Sequence, residues 1–240
     1  MIRTLITKLI QRVKRDPGYV PHPGISTSDL VRELGGRGTA LLRGAVKLAG
    51  VKGGRLRFVE PGVSIAFRRH LTVGNGSVLE SGARLRCLSR DGIVLGRRVT
   101  VGKYAIIECT GVLWHLGVGL KVGDDSSIGD YAFIGCGGGV TIGDNVLMGQ
   151  RVSFHSQNHN FDDVGSSIKS QGVHSEGIVV GDDCWLGSGA IILDGVTLGP
   201  GCVVAAGSVV TKSAGPNSIL AGNPARVLRV RGEERAAEAS

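Results

Sequence analysis

From about residue 71 onward an aliphatic residue returns at every sixth position, usually followed by glycine. Read in hexads, the chain runs VGNGSV, LESGAR over 73–84, LGRRVT, VGKYAI, IECTGV over 95–112, and VGDDSS, IGDYAF, IGCGGG over 122–139. It resumes as IGDNVL, MGQRVS over 142–153 and VGDDCW, LGSGAI, ILDGVT, LGPGCV, VAAGSV over 180–209. The aliphatic position points into a narrow core, and a small residue two places before it fits a tight corner. Gly, Asn and Asp supply turn conformations with positive φ that other residues resist. Three hexads make one triangular coil of roughly 18 residues, and backbone hydrogen bonds stack coil on coil. The periodicity predicts an all-β solenoid, a parallel β-helix.

Composition supports this reading by exclusion. Glycine fills 40 of 240 positions, yet hydrophobic residues still make up 42% of the chain, which a disordered Gly-rich linker would lack. Gly does not fall at every third position, so collagen is excluded. Aromatic residues are scarce, at five Phe, three Tyr and two Trp, as expected of a core too thin for rings. No apolar run is long enough to span a bilayer, and the first residues lack a signal peptide's apolar block and cleavage site. The expectation is a soluble, cytoplasmic chain. Cys87, Cys109, Cys136, Cys184 and Cys202 are odd in number and form no CxxC pair, which argues against a disulfide framework or a zinc knuckle.

The formal charge of +8 belongs to one end. Residues 1–70 hold fourteen Lys/Arg against four Asp/Glu, and the rest of the chain holds fourteen against sixteen. Residues 1–15 place Ile2, Leu5, Ile6, Leu9 and Val13 at helical spacing, with Arg3, Lys8, Arg12, Lys14 and Arg15 off that stripe, and Pro17–Gly18 stop the helix. Ser26 or Ser28 caps a second helix through Leu34, and residues 39–48 suggest a third. A basic amphipathic helix can lie on an anionic membrane surface or pack its apolar stripe against protein. Nucleic acid is a poor candidate, because no binding module accompanies the charge. The chain divides into a basic, partly helical region over 1–70 that leads into the first coils, the repeat over 71–215, and a C-terminal segment over 216–240.

A solenoid can spare a loop without losing its stacking, so function is expected where the repeat breaks. The largest break, 154–177, reads FHSQNHNFDDVGSSIKSQGVHSEG and carries His155, His159, His174, Asp162, Asp163 and Glu176. A shorter one, GVLWHLGVG over 111–119, carries Trp114 and His115.

HSQNHNFDD over 155–163, GDDCWLGSGAIILDGVTLGPGCVVAAGSVVTK over 181–212 and AGNPARVLR over 221–229 follow one another in fixed order. Together they resemble the hexapeptide-repeat acyltransferases of the sugar and polysaccharide O-acetyltransferase type, over about 71–230. The resemblance implies a left-handed β-helix, a homotrimer, acetyl-CoA as acyl donor and a carbohydrate acceptor, lipid-linked in some pathways. In that family a loop histidine is the general base, and the matching residue is His159. An imidazole of pKa about 6.5 suits removal of an alcohol's proton during attack. The oxyanion donor of the family matches the backbone N–H of Ser188. Asp162, Asp163, Glu176 or a backbone carbonyl could orient the imidazole, and the sequence leaves the choice open. His155, Asn158 and Asp162 are candidates for acceptor contact. Trp185, Ser188, Ala206, Gly207, Thr211, Lys212, Arg226 and Arg229 match the family's coenzyme A groove, which lies between subunits. No metal ligand set is expected. One departure concerns FIGCGGGVT over 133–141, where galactoside-type members carry an Asn near the acceptor.

Three other functions fit parts of the same pattern. A γ-carbonic-anhydrase-like zinc enzyme would use His115, His155 and His159, but that class spaces its pair five residues apart and this chain spaces it four. An amino-sugar N-acetyltransferase would use the same base. A non-catalytic assembly subunit would have had no reason to keep His159 with Trp185, Lys212 and Arg226.

Overall fold

The computed structural model describes residues 2–14, 17–112 and 114–233, without the side chains of Ile2, Leu9, Val13 and Lys14. From Lys52 the chain winds into coils with three flat faces, visited in the order first, second, third. The first face stacks strands from Lys52–Gly53 to Thr197–Leu198, and the third stacks strands from Ser64–Ala66 to Val209–Val210. The second runs from Phe58–Val59 to Val203–Val204 and closes on an antiparallel pair, Ser218–Gly222 with Ala225–Val230. Neighbouring coils are parallel and in register, so like positions stack: Ile107, Ile134, Phe154 and Ile192 form one continuous column.

All the hexad aliphatics from Val73 to Val204 are buried, and so are the small residues two places before them, such as Ala105, Ser126, Ala132, Cys184 and Ala190. Phe154 departs from the expectation that the core excludes rings, since it is fully buried. Its ring takes the inward position between Ile134 on one neighbouring coil and Ile192 on the other.

The glycines divide into two kinds, which the sequence does not distinguish. Those directly after an aliphatic serve close approach. A Cβ on Gly129 would stand 2.0 Å from the Gly149 carbonyl oxygen, and one on Gly143 2.2 Å from Asp182 Oδ1. Positive φ occurs later in most hexads, at the edge between faces. There Asp125, Asn145 and Asp183 take it on one edge, and Tyr104, Tyr131 and Arg151 on the next.

Helix α1 spans Ile2–Lys14 and α2 spans Thr27–Lys47. Ser26 and Asp29 form a capping box at the start of α2. The two helices expected over 26–34 and 39–48 are therefore one. Gly35, Gly36 and Gly38 do not break it, because they face open space and cost only their propensity, about 1 kcal/mol each. Leu30, Ala40 and Gly44 anchor it on both sides of them. At Gly44 the helix meets the first coil so closely that a Cβ would lie 1.9 Å from the Arg57 carbonyl oxygen. Arg43 and Lys47 donate to the carbonyls of Val59 and Val63 on that coil. Of the predicted α1 stripe, Ile6 is buried and Leu5 exposed. Ile2, Leu9 and Val13, with the cations Lys14 and Arg15, fall outside the described side chains. Among the described residues no helix is long and apolar enough to cross a membrane.

Candidate active site

Both breaks in the repeat leave the solenoid at the same edge, between the third and first faces. One lies between strands Ile106–Glu108 and Gly119–Val122, the other between Ser153–His155 and Ile178–Val180. The larger folds back on itself as a short antiparallel hairpin that pairs Asn158–His159 with Val173–His174. Its interior is held by Asn160, which donates to Gln171 O at 2.9 Å and meets His174 Nδ1 at 2.6 Å. His174 therefore serves the hairpin.

His159 stands on this hairpin with its side chain exposed and its imidazole making no hydrogen bond among the described residues. His155 ends the third-face strand that leads into the loop, its ring tilted against that of Phe133 at 5.6 Å. Of the four candidate orienting groups, Asp163 is occupied. It accepts from Ser166 Oγ at 2.7 Å and from Gly165 N at 2.9 Å, which holds its carboxyl below the usual range. Asp162 and Glu176 are exposed, and neither carboxylate contacts His159.

The residue that ties the hairpin to the solenoid is Asp194, which sequence reasoning missed. Its carboxylate accepts from Gly177 N at 2.8 Å, from Glu176 N at 3.0 Å and from Asn158 Nδ2 at 3.2 Å. Asn158 thus has a structural partner beside the acceptor contact expected of it. A carboxylate at the end of a hexad strand, ILD, next to the coil that carries the loop, is the signal that could have found it.

The glycines of FIGCGGGVT also receive a physical reason. Cys136 is buried, so it faces the core. A Cβ on Gly138 would lie 1.7 Å from the Ser156 carbonyl oxygen, while Ser156 Oγ accepts from Gly138 N at 3.0 Å. The run lets the chain pass directly beneath the hairpin's base. Beside it, a groove of ≈ 370 Å³ opens on the first face, with Asp91, Lys121 and Glu176 around a floor of Gly138, Gly139 and Leu120.

The residues matched to the acyl donor are divided between places. Ser188, Ala206 and Gly207 sit at the edge between the second and third faces, and Trp185 is on the second face beside them, 56% exposed. The Ser188 N–H has no acceptor among the described residues, and the space around Gly207 is open. Thr211 and Lys212 are exposed where the third face turns to the first. Arg226 and Arg229 lie on the last strand, with the Arg226 guanidinium donating to its own neighbour, Ala225 O. One chain thus sets His159 and Ser188 on different edges, with the whole third face between them. Within one chain, no three His, Cys, Asp or Glu side chains among the described residues gather as a metal site, and His115 remains on the separate shorter break.

A stacked hexapeptide solenoid with an imidazole-bearing loop defines a class, and comparison with known proteins agrees with it. Residues 177–212 match the family described as bacterial transferase hexapeptide (six repeats). The chain is 34% identical over 141 residues to the galactoside O-acetyltransferase of Escherichia coli, a match covering 58% of this chain and 68% of that protein. The chain therefore belongs to the hexapeptide transferase family, among its acetyltransferases, and its fold is the left-handed parallel β-helix. A Mycobacterium tuberculosis protein named probable acetyltransferase is 30% identical over 73% of this chain and 55% of its own length. Other relatives are matched over 42% to 57% of their length. Among solved structures, AntD, an N-acyltransferase from Bacillus cereus, covers 80% of this chain and 90% of its own with a TM-score of 0.53 at 15% identity. That likeness concerns the fold.

Proposed function

We propose that this protein transfers an acetyl group from acetyl-CoA to a hydroxyl of a carbohydrate. The observation that carries the reading is His159, an imidazole with no hydrogen-bond partner among the described residues, held out on a hairpin that Asp194 anchors to the solenoid. A ring nitrogen of His159 takes the proton of the acceptor hydroxyl as its oxygen attacks the thioester carbonyl. Charge collects on the carbonyl oxygen, where the Ser188 N–H, without an acceptor among the described residues, serves as donor. Collapse breaks the C–S bond, and the imidazolium returns its proton to the leaving thiolate. No covalent enzyme intermediate is needed.

The donor's shape suits the residues assigned to it. Gly207 leaves room for a slender arm against the backbone, Trp185 offers an exposed ring, and Lys212, Arg226 and Arg229 offer cations for phosphates. Because His159 and Ser188 lie on different edges of one chain, the reading includes a homotrimer in which neighbouring copies complete each site. His155, Asn158 and Asp162 are its candidate acceptor contacts. The basic N-terminal helix α1 is its candidate means of contact with a membrane that carries lipid-linked acceptors.

The test is thiol release from acetyl-CoA by the full chain, with nucleotide sugars, oligosaccharides and lipid-linked glycans as acceptors. The expected result is acceptor-dependent release and a product one acetyl group heavier, with an ester labile to hydroxylamine. A stable amide product would move the reading to an amine acceptor. No acceptor-dependent release with any carbohydrate would refute it.

A further inference from the structure

The edge that carries Ser188 is not bare on the coils before it. Successive backbone hydrogen bonds define one column along it: Tyr104 N to Ser81 O, Tyr131 N to Lys103 O, Arg151 N to Asp130 O, Gly189 N to Gln150 O and Gly207 N to Ser188 O. The column position has positive φ throughout, at 55° for Tyr104 and 57° for both Tyr131 and Arg151. Glycine meets this geometry without strain, and Gly82, Gly189 and Gly207 show it doing so in the same column. A bulky side chain there costs free energy that glycine would not.

Stacking organises the three large side chains. The Tyr104 ring lies over Gly82, whose absent Cβ would stand 2.4 Å from Tyr104 Cδ1. The Tyr104 and Tyr131 rings stack at 5.4 Å between centroids and 15° between planes, and the Arg151 guanidinium lies 6.0 Å from the Tyr131 centroid. Yet the ridge is open: Tyr104 is 53% and Tyr131 55% exposed. Among the described residues neither phenol hydroxyl is hydrogen bonded, and Arg151 makes no ion pair. The other edge differs, since its column member Arg98 is paired to Asp125.

We infer that Tyr104, Tyr131 and Arg151 form an acceptor subsite for an anionic oligosaccharide. The apolar C–H faces of pyranose rings stack on exposed aromatic rings, and the guanidinium supplies a planar donor pair for a sugar carboxylate or phosphate. The ridge runs coil by coil toward Ser188, so a chain lying on it directs one end to the acyl carbonyl. This rests on the acetyl-transfer reading for its meaning, but its test does not use transfer.

Tetragalacturonate and maltotetraose serve as anionic and neutral probes, titrated calorimetrically into the full chain with coenzyme A bound. The anionic probe binds about ten-fold more tightly than the neutral one, and Arg151→Ala removes that preference. Tyr131→Ala weakens tetragalacturonate about ten-fold, while Tyr131→Phe, which keeps the ring, stays within about three-fold. Coenzyme A affinity and melting temperature are unchanged in all three variants. No binding of either probe, unchanged binding by Tyr131→Ala, or a loss of coenzyme A affinity in its place would overturn the assignment. Probe binding without acceptor-dependent thiol release would refute the transfer reading alone, and release without probe binding would refute the ridge alone.

Discussion

Replacing Asp194 with alanine tests how the hairpin is held, because this one carboxylate takes three donors from it. The bonds to Glu176 N, Gly177 N and Asn158 Nδ2 range from 2.8 to 3.2 Å. Hydrogen bonds to a charged group contribute about 1.5–3 kcal/mol each when desolvated. Glu176 and Asn158 are exposed and Gly177 is half-buried, so water replaces most of the first two and much of the third. A net loss of about 2 kcal/mol follows, and it falls on hairpin opening rather than on the coils. That raises the opening equilibrium about thirty-fold. Hydrogen exchange followed by mass spectrometry on peptides covering 156–177 should show faster exchange at Glu176 and Gly177, with peptides from the solenoid unchanged. Acetyl transfer should fall with the hairpin, since His159 rides on it. Unchanged protection in this segment would refute the anchoring role, and faster exchange across every coil would show that Asp194 supports the solenoid itself.

Gly129→Ala should cost about 3 kcal/mol in chemical unfolding, because its methyl would stand 2.0 Å from a backbone oxygen of the next coil. Gly215→Ala, which meets nothing within 4 Å, should stay within about 0.5 kcal/mol. The five cysteines are all buried, so a thiol reagent should label none in the native protein and all five after unfolding. Burial pushes Cys87 up to about 12 and Cys184 up to about 11. These lie above the unfolded value of about 8.5, so the native state holds protons that the unfolded chain releases. Unfolding free energy should therefore decrease as pH rises above about 8.5; an increase would contradict the burial of these thiols.

The repeat was legible because one geometric demand, an inward aliphatic per hexad, acts on every coil alike. Val73 and Val204 read the same way and occupy the same position. His159 was legible because it interrupts that regularity. Less legible were features set by contact between coils. Asp194 looks like any turn residue until Glu176 and Gly177 are found above it. Gly35, Gly36 and Gly38 read as a helix break, and only their exposure explains why α2 continues through them. The strands from Lys52 to Ala66 pair in register with the coil that follows, yet their sequence lacks the aliphatic–glycine pairs that mark later coils.

The most direct test of acyl transfer by a loop imidazole is the initial rate of His159→Ala with acetyl-CoA and the best acceptor, alongside coenzyme A affinity. Loss of the general base should lower the rate at least about a hundred-fold and leave coenzyme A binding unchanged. A variant that keeps the wild-type rate within a few-fold would contradict the account.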